Sequence, residues 1–111
     1  MAPLDTGRLA EIAGGDAGFA RELVDLFMED AAAHLATLTA AIGDGQAERV
    51  REVAHTLKGS ASNVGAEPMR GLAYALEQQG RAGELRESAP LLVALHEELE
   101  RVRAVAEESG R

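Results

Sequence analysis

At 111 residues the chain can form one domain with a real hydrophobic core and is too short for two. Hydrophobic residues make up 46% and aromatics only 3%, so the core must come from Leu, Val, Ile and Ala, which suits close-packed helices; the lack of cysteine removes disulfides, thiolate metal sites and thiol nucleophiles and fits a reducing cytoplasm. The formal net charge of -8 repels a phosphate backbone, no apolar run approaches the roughly 20 residues that cross a bilayer, and the start MAPLDTGR lacks the basic and apolar regions of a signal peptide, so neither nucleic acid, membrane nor secretion is expected.

Asp5 or Thr6 can cap a short first helix carrying Leu9 and Ile12, which the Gly14-Gly15 pair should stop. From about residue 17 to 42, Phe19, Leu23, Leu26, Phe27, Leu38 and Ile42 recur at three- and four-residue steps and predict a long helix ended by GDG at 43 to 45. A third helix, about 46 to 63, puts Val50, Val53, Leu57, Ala61 and Val64 on one stripe, and Gly65 breaks it. The fourth should begin near Glu67, with Pro68 in its first turn, and run through Met69, Leu72 and Leu76 to Gly80, where GRAG makes the turn. The last, about 84 to 107, carries Leu92, Leu95, Leu99 and Val102; Pro90 implies that its first residues form a separate turn, and the terminal ESGR is expected to fray.

Four amphipathic helices joined by short glycine-rich loops favour antiparallel neighbours. The fold class is therefore all-α: an antiparallel up-and-down four-helix bundle with a short extra N-terminal helix, one domain over 1-111 with its core at about 5-107. A monomer is the simplest state, and the opening Met and short ends favour a free-standing protein over an excised module.

The chemistry-bearing stretch is AHTLKGSASNVGA, residues 54 to 66. If Val50, Leu57 and Ala61 mark the inward direction, His55 lies about 140° from it and faces water. Arg51, Lys58, Gly59 and Ser62 fall around it, while Ser60 turns back toward the bundle. Gly59 costs about 1 kcal/mol relative to Ala in a helix interior, so a glycine one turn from His55 suggests that something must come close. A nitrogen nucleophile needs an unprotonated ring nitrogen and an open approach, and a cation three residues on can steady arriving negative charge. As an exposed cation, Lys58 is expected to add little to stability. His34 and His96 sit beside Leu35 and Leu95 without such surroundings and are read as structural.

This stretch resembles the signature of the histidine-containing phosphotransfer (HPt) family, H-x-x-K-G-S/A followed by a small turn, and the likeness runs from about Leu9 to Val102 through LVDLFMEDA and LAYALEQQGRAGEL. The resemblance implies that His55 carries a phosphoryl group on Nε2 in a two-component phosphorelay, exchanging it with aspartates of response-regulator receiver domains and a hybrid sensor kinase. Lys58 would screen the phosphoryl oxygens, Gly59 would clear space for the receiver and Ser60 would hold the helix against its neighbour. The family's acceptor for the imidazole Nδ1–H falls on Glu77, with Gln78 and Gln79 adjacent. No cofactor is expected in this chain; Mg²⁺ and the acidic pocket belong to the receiver, and the sequence carries no P-loop or nucleotide loop, so neither ATP binding nor kinase activity is expected.

For docking, Val24, Met28 and Leu35 flank the stripe of the long helix; Val24 and Leu35 are assigned to the core and Met28 to the receiver surface. Two rivals stand beside this reading. Glu52 to His55 is the Glu-x-x-His step of di-metal bundles, but Ala31 and Val93 precede His34 and His96, so no second copy exists. A non-catalytic scaffold or adaptor would keep the bundle without the chemistry.

Overall fold

The first two helices start at capping aspartates. In the computed structural model, which describes residues 1–109, the helices are α1 (Thr6–Ile12), α2 (Ala17–Gly43), α3 (Ala47–Asn63), α4 (Glu67–Ala82) and α5 (Ser88–Ser109). Asp5, not Thr6, caps α1 by accepting from the Arg8 N–H, and Asp16 caps α2 by accepting from Phe19. Pro68 sits in the first turn of α4, where a missing N–H costs nothing. Residues 84–87 form the separate turn that Pro90 foretold, and α5 starts at Ser88. Of the ESGR end expected to fray, Gly110 and Arg111 lie outside the described residues.

The order of packing is α2 on α3, α3 on α4, α4 on α5 and α5 back on α2, which closes a four-helix bundle, with α1 lying on α2. Pairings at opposite ends make neighbours antiparallel: Arg21 at the start of α2 donates to the Ala106 carbonyl near the end of α5, and Gly80 near the end of α4 meets Ala47 and Arg51 near the start of α3. Leu35, Leu38, Val50, Leu57, Met69, Leu76, Leu95 and Val102 fill the centre. Each such side chain contributes about 1.5–3 kcal/mol of burial.

The stripe of α2 is borne out in part. Phe27 and Leu38 are buried and Leu23 and Ile42 pack on the core, and Val24 and Leu35 are core as expected, with Ala31. Phe19 and Leu26, assigned to the inner stripe, are 44% and 58% exposed, and Ile12 on α1 is exposed too. A long helix with apolar residues on more than one face has two candidate stripes, and only its neighbours decide which is buried.

Two glycines carry the local geometry. Gly65 takes the left-handed conformation (φ 73°) that ends α3, and its carbonyl accepts from the Asp5 N–H at 2.8 Å, tying the N-terminus to the α3–α4 turn. Gly80 does not begin a turn, as its GRAG context implied; α4 runs through it to Ala82 and stops at the left-handed Gly83. A Cβ on Gly80 would stand 2.7 Å from the Arg51 nitrogen and 2.8 Å from the Ala47 carbonyl, so the missing side chain is what lets α4 lie directly on α3. Gly59 is the opposite case, since a Cβ there meets nothing within 4 Å.

Gly80→Ala is therefore expected to cost about 1–3 kcal/mol by forcing α4 off α3, whereas Gly59→Ala should be neutral or stabilise by up to about 1 kcal/mol. Chemical denaturation of the two variants checks this; equal midpoints would refute the close-approach role of Gly80.

Candidate functional site

The close approach of α4 to α3 brings one carboxylate under two basic residues. Glu77, one turn before Gly80, reaches back to α3 and accepts from His55 Nδ1 at 2.8 Å through Oε2. Its Oε1 lies 2.7 Å from the Lys58 ammonium. This second contact is a short ion pair, and Oε1 has no other donor. Arg81, one turn further along α4, stands 3.5 Å from Oε2.

Glu77 is only 2% exposed, yet it lies near the surface: the long side chains of α3 roof it over. Loss of water around the carboxylate opposes its ionisation, but Lys58 and His55 outweigh that by hydrogen bonding and charge and hold its pKa below the ordinary 4.5. An ionised carboxylate can only accept, so Nδ1 carries the ring proton and donates it. In the neutral ring Nε2 then keeps its lone pair, on the edge turned away from Glu77. The His55 side chain is 63% exposed, so that nitrogen is open to a partner.

The expected site residues thus separate. His55, Lys58 and Glu77 come together in one cluster, and Gly59 lies one turn along the same exposed face with open space above it. Ser60 stands apart, half-buried one turn beyond Thr56 on the flank of α3 turned to α2. Gln78 is exposed and Gln79 accepts from the buried Ser88 hydroxyl at 2.6 Å, so neither competes with Glu77. Lys58 departs from its expectation as an exposed cation: only 26% exposed, it is drawn against α4 by Glu77, with its ammonium 5.3 Å from the centre of the Tyr74 ring. Arg51 is forked onto Glu48, which raises its pKa and lowers that of Glu48, first through their hydrogen bonds.

Tyr74 and Arg81 were missed in the sequence. A wheel centred on Glu77 would have found them, because positions 70, 74, 77 and 81 share one stripe of α4. His34 lines the groove between α2 and α3 with Ala33, Thr37, Glu52 and Thr56, and His96 is exposed on α5; neither joins the cluster. Among the described residues no group of His, Asp or Glu side chains is placed to hold a metal ion.

The docking flank also differs from expectation. Ala33 of α2 faces α3 across that groove, and Leu26 and Phe19 lie on the same line of α2 at seven-residue steps, toward the end of α3 that carries Gly59. Met28 lies seven residues from Arg21, whose guanidinium bonds to α5. It is half-buried on the side of α2 remote from His55, so it does not belong to the surface beside the site.

An exposed histidine, oriented from behind by a carboxylate and set beside a lysine and an unoccupied glycine face, is the arrangement on which comparison with known proteins bears. The Hpt domain model matches residues 22–105. The chain belongs to the Hpt domain family. This Hpt chain is 31% identical over 78 residues to the phosphorelay protein LuxU of Vibrio harveyi, covering 67% of this chain and 68% of that protein. It superposes on the crystal structure of histidine-containing phosphotransfer protein B (HptB) from Pseudomonas aeruginosa PAO1 with a TM-score of 0.89 and 32% identity, covering 96% of this chain and 92% of the other. Among the described residues of this Hpt protein no helix is long and apolar enough to cross a membrane.

Because Glu77 has a lowered pKa, its contribution to stability is present above the ordinary value of 4.5 and is lost as the pH falls through the lower folded value. Glu77→Gln is expected to cost about 1–2 kcal/mol near neutral pH, with a gap to the wild type that shrinks progressively below pH 4.5; urea melts across the acid range measure it. Lys58→Met should cost about 1–3 kcal/mol because it removes the ammonium 2.7 Å from Oε1, in contrast to a simple surface cation.

Proposed function

We propose that this Hpt protein is the phosphoryl carrier of a two-component phosphorelay, with His55 as the residue that carries the group. The observation that supports this best is the His55–Glu77 hydrogen bond at 2.8 Å under an otherwise exposed ring. Transfer begins when the Nε2 lone pair attacks the phosphorus of a receiver's aspartyl phosphate. The N–P bond forms, the P–O bond to the acyl oxygen breaks, and aspartate leaves as a carboxylate. The imidazole gains positive charge as this happens, and the Nδ1–H bond to Glu77 stabilises it. Lys58 offsets the charge on the phosphoryl oxygens, and reversal of the same steps passes the group on.

Phosphoryl transfer needs mostly positioning and charge screening, so a site this small suffices. Mg²⁺ and the acidic pocket come from the receiver, and the chain acts without an ATP site or kinase activity of its own. Its partners are receiver domains and a hybrid sensor kinase, met as a monomeric domain in the cytoplasm. Phe19 and Leu26, exposed on the α2 flank that leads to Gly59, form the apolar part of the receiver contact. Gly59 leaves the receiver room, which accounts for a glycine that the fold itself does not need.

Mixing the protein with phosphorylated receivers should give an acid-labile, base-stable label that His55→Gln abolishes. Label retained in that variant would remove His55 from the mechanism, and no label on the wild type with several receivers would favour a scaffold. Leu26→Ser should raise the KM for a cognate receiver about tenfold, equivalent to about 1.4 kcal/mol of lost contact, while leaving the maximal rate little changed. Gly59→Leu should block transfer without loss of helix content by circular dichroism.

A further inference from the structure

Lys58 is engaged in the resting protein. Its ammonium lies 2.7 Å from Glu77 Oε1 and 5.3 Å from the centre of the Tyr74 ring, both on α4. A cation neutralised in this way does not also neutralise a phosphoryl group on His55 Nε2. If Lys58 simply left, a carboxylate that is 2% exposed would lose its counter-ion just as new negative charge arrived on the other edge of the same imidazole. A second cation is already beside it. Arg81 stands 3.5 Å from Oε2, longer than a good hydrogen bond, and is 61% exposed, so its guanidinium has room to close. Among the described residues its ion-pair partner is Glu77, whereas Arg51, the other nearby arginine, is forked onto Glu48.

Building on the carrier reading, we propose that Arg81 is a positioning residue that takes over Glu77 when the phosphoryl group draws Lys58 away. Lys58 leaves Glu77 and the Tyr74 ring for the phosphoryl oxygens, Arg81 closes on the carboxylate, and His55 Nδ1 keeps its hydrogen bond throughout. The exchange moves two flexible side chains and neither makes nor breaks a covalent bond. It keeps each negative group paired with one cation in both states, and it gives Tyr74 the part of a rest for the lysine.

The chain has one tyrosine and no tryptophan, so intrinsic fluorescence reports on Tyr74 alone and hence on the ammonium beside it. Phosphoramidate serves as the probe donor: Nε2 attacks its phosphorus, the P–N bond breaks and ammonia leaves, while intact mass follows the phosphorylated fraction. Emission is expected to change in step with the mass gain in the wild type, and to stay constant in Lys58→Met even where some phosphorylation occurs. Arg81→Gln should slow phosphorylation several-fold and reduce the emission change with an unchanged melting temperature, Arg81→Lys should restore most of both, and in a Glu77→Gln background Arg81→Gln should add nothing. Full phosphorylation of the wild type with constant emission, an Arg81→Gln variant identical to the wild type, or an Arg81 effect that persists without the Glu77 charge would each overturn the exchange. A wild type that takes no phosphoryl group at His55 would overturn the carrier reading and the exchange with it.

Discussion

A single ionised carboxylate, covered by the side chains it pairs with, organises the functional end of this bundle. Glu77 fixes which nitrogen of His55 bears the proton, draws Lys58 against α4 and connects α4 to α3 by charge as well as by packing. It can do this only because α4 lies so close to α3 that position 80 has no room for a Cβ. The glycine that permits the contact and the acid that uses it are one turn apart.

The site gathers paired charges within an otherwise acidic molecule. The chain as a whole carries -8, yet Arg51, Lys58 and Arg81 converge on the ridge between α3 and α4 around His55. An acidic surface elsewhere keeps a small domain soluble and discourages non-specific contacts with anions, while the local cations favour a partner that brings negative charge to this ridge. Because those cations are engaged with Glu77 and Glu48 at rest, they are held in place without concentrating bare positive charge. Mutual pairing of this kind orients long side chains that would otherwise sample many rotamers.

The bundle itself was legible in the sequence because helix boundaries are local events. Asp5 and Asp16 cap, Gly65 terminates and Pro90 defers the start of α5, each by backbone chemistry confined to a few residues. The position of His55 was legible for the same reason, since α3 has one clear apolar stripe opposite it. The face of α2 was harder to read. Phe19 and Leu26 are as hydrophobic as Phe27 and Leu35, and nothing local says which pair meets α3 and α5. Met28 was placed on the wrong side by the same ambiguity, and Gly80 was read as a turn because a helix-breaking glycine and a helix-packing glycine look alike in one dimension.

The sequence alone therefore determined the number of helices, most of their ends, the outward direction of His55 and the identity of its nearest neighbours along α3, all of which follow from spacing and capping. Tertiary structure decided the rest: that Lys58 leans onto α4 instead of into water, that Tyr74 and Arg81 complete its surroundings, and that Phe19 and Leu26 are surface. These are properties of the rotation and separation of packed helices, set by the summed fit of many side chains on facing elements, and no window of sequence along one helix contains them.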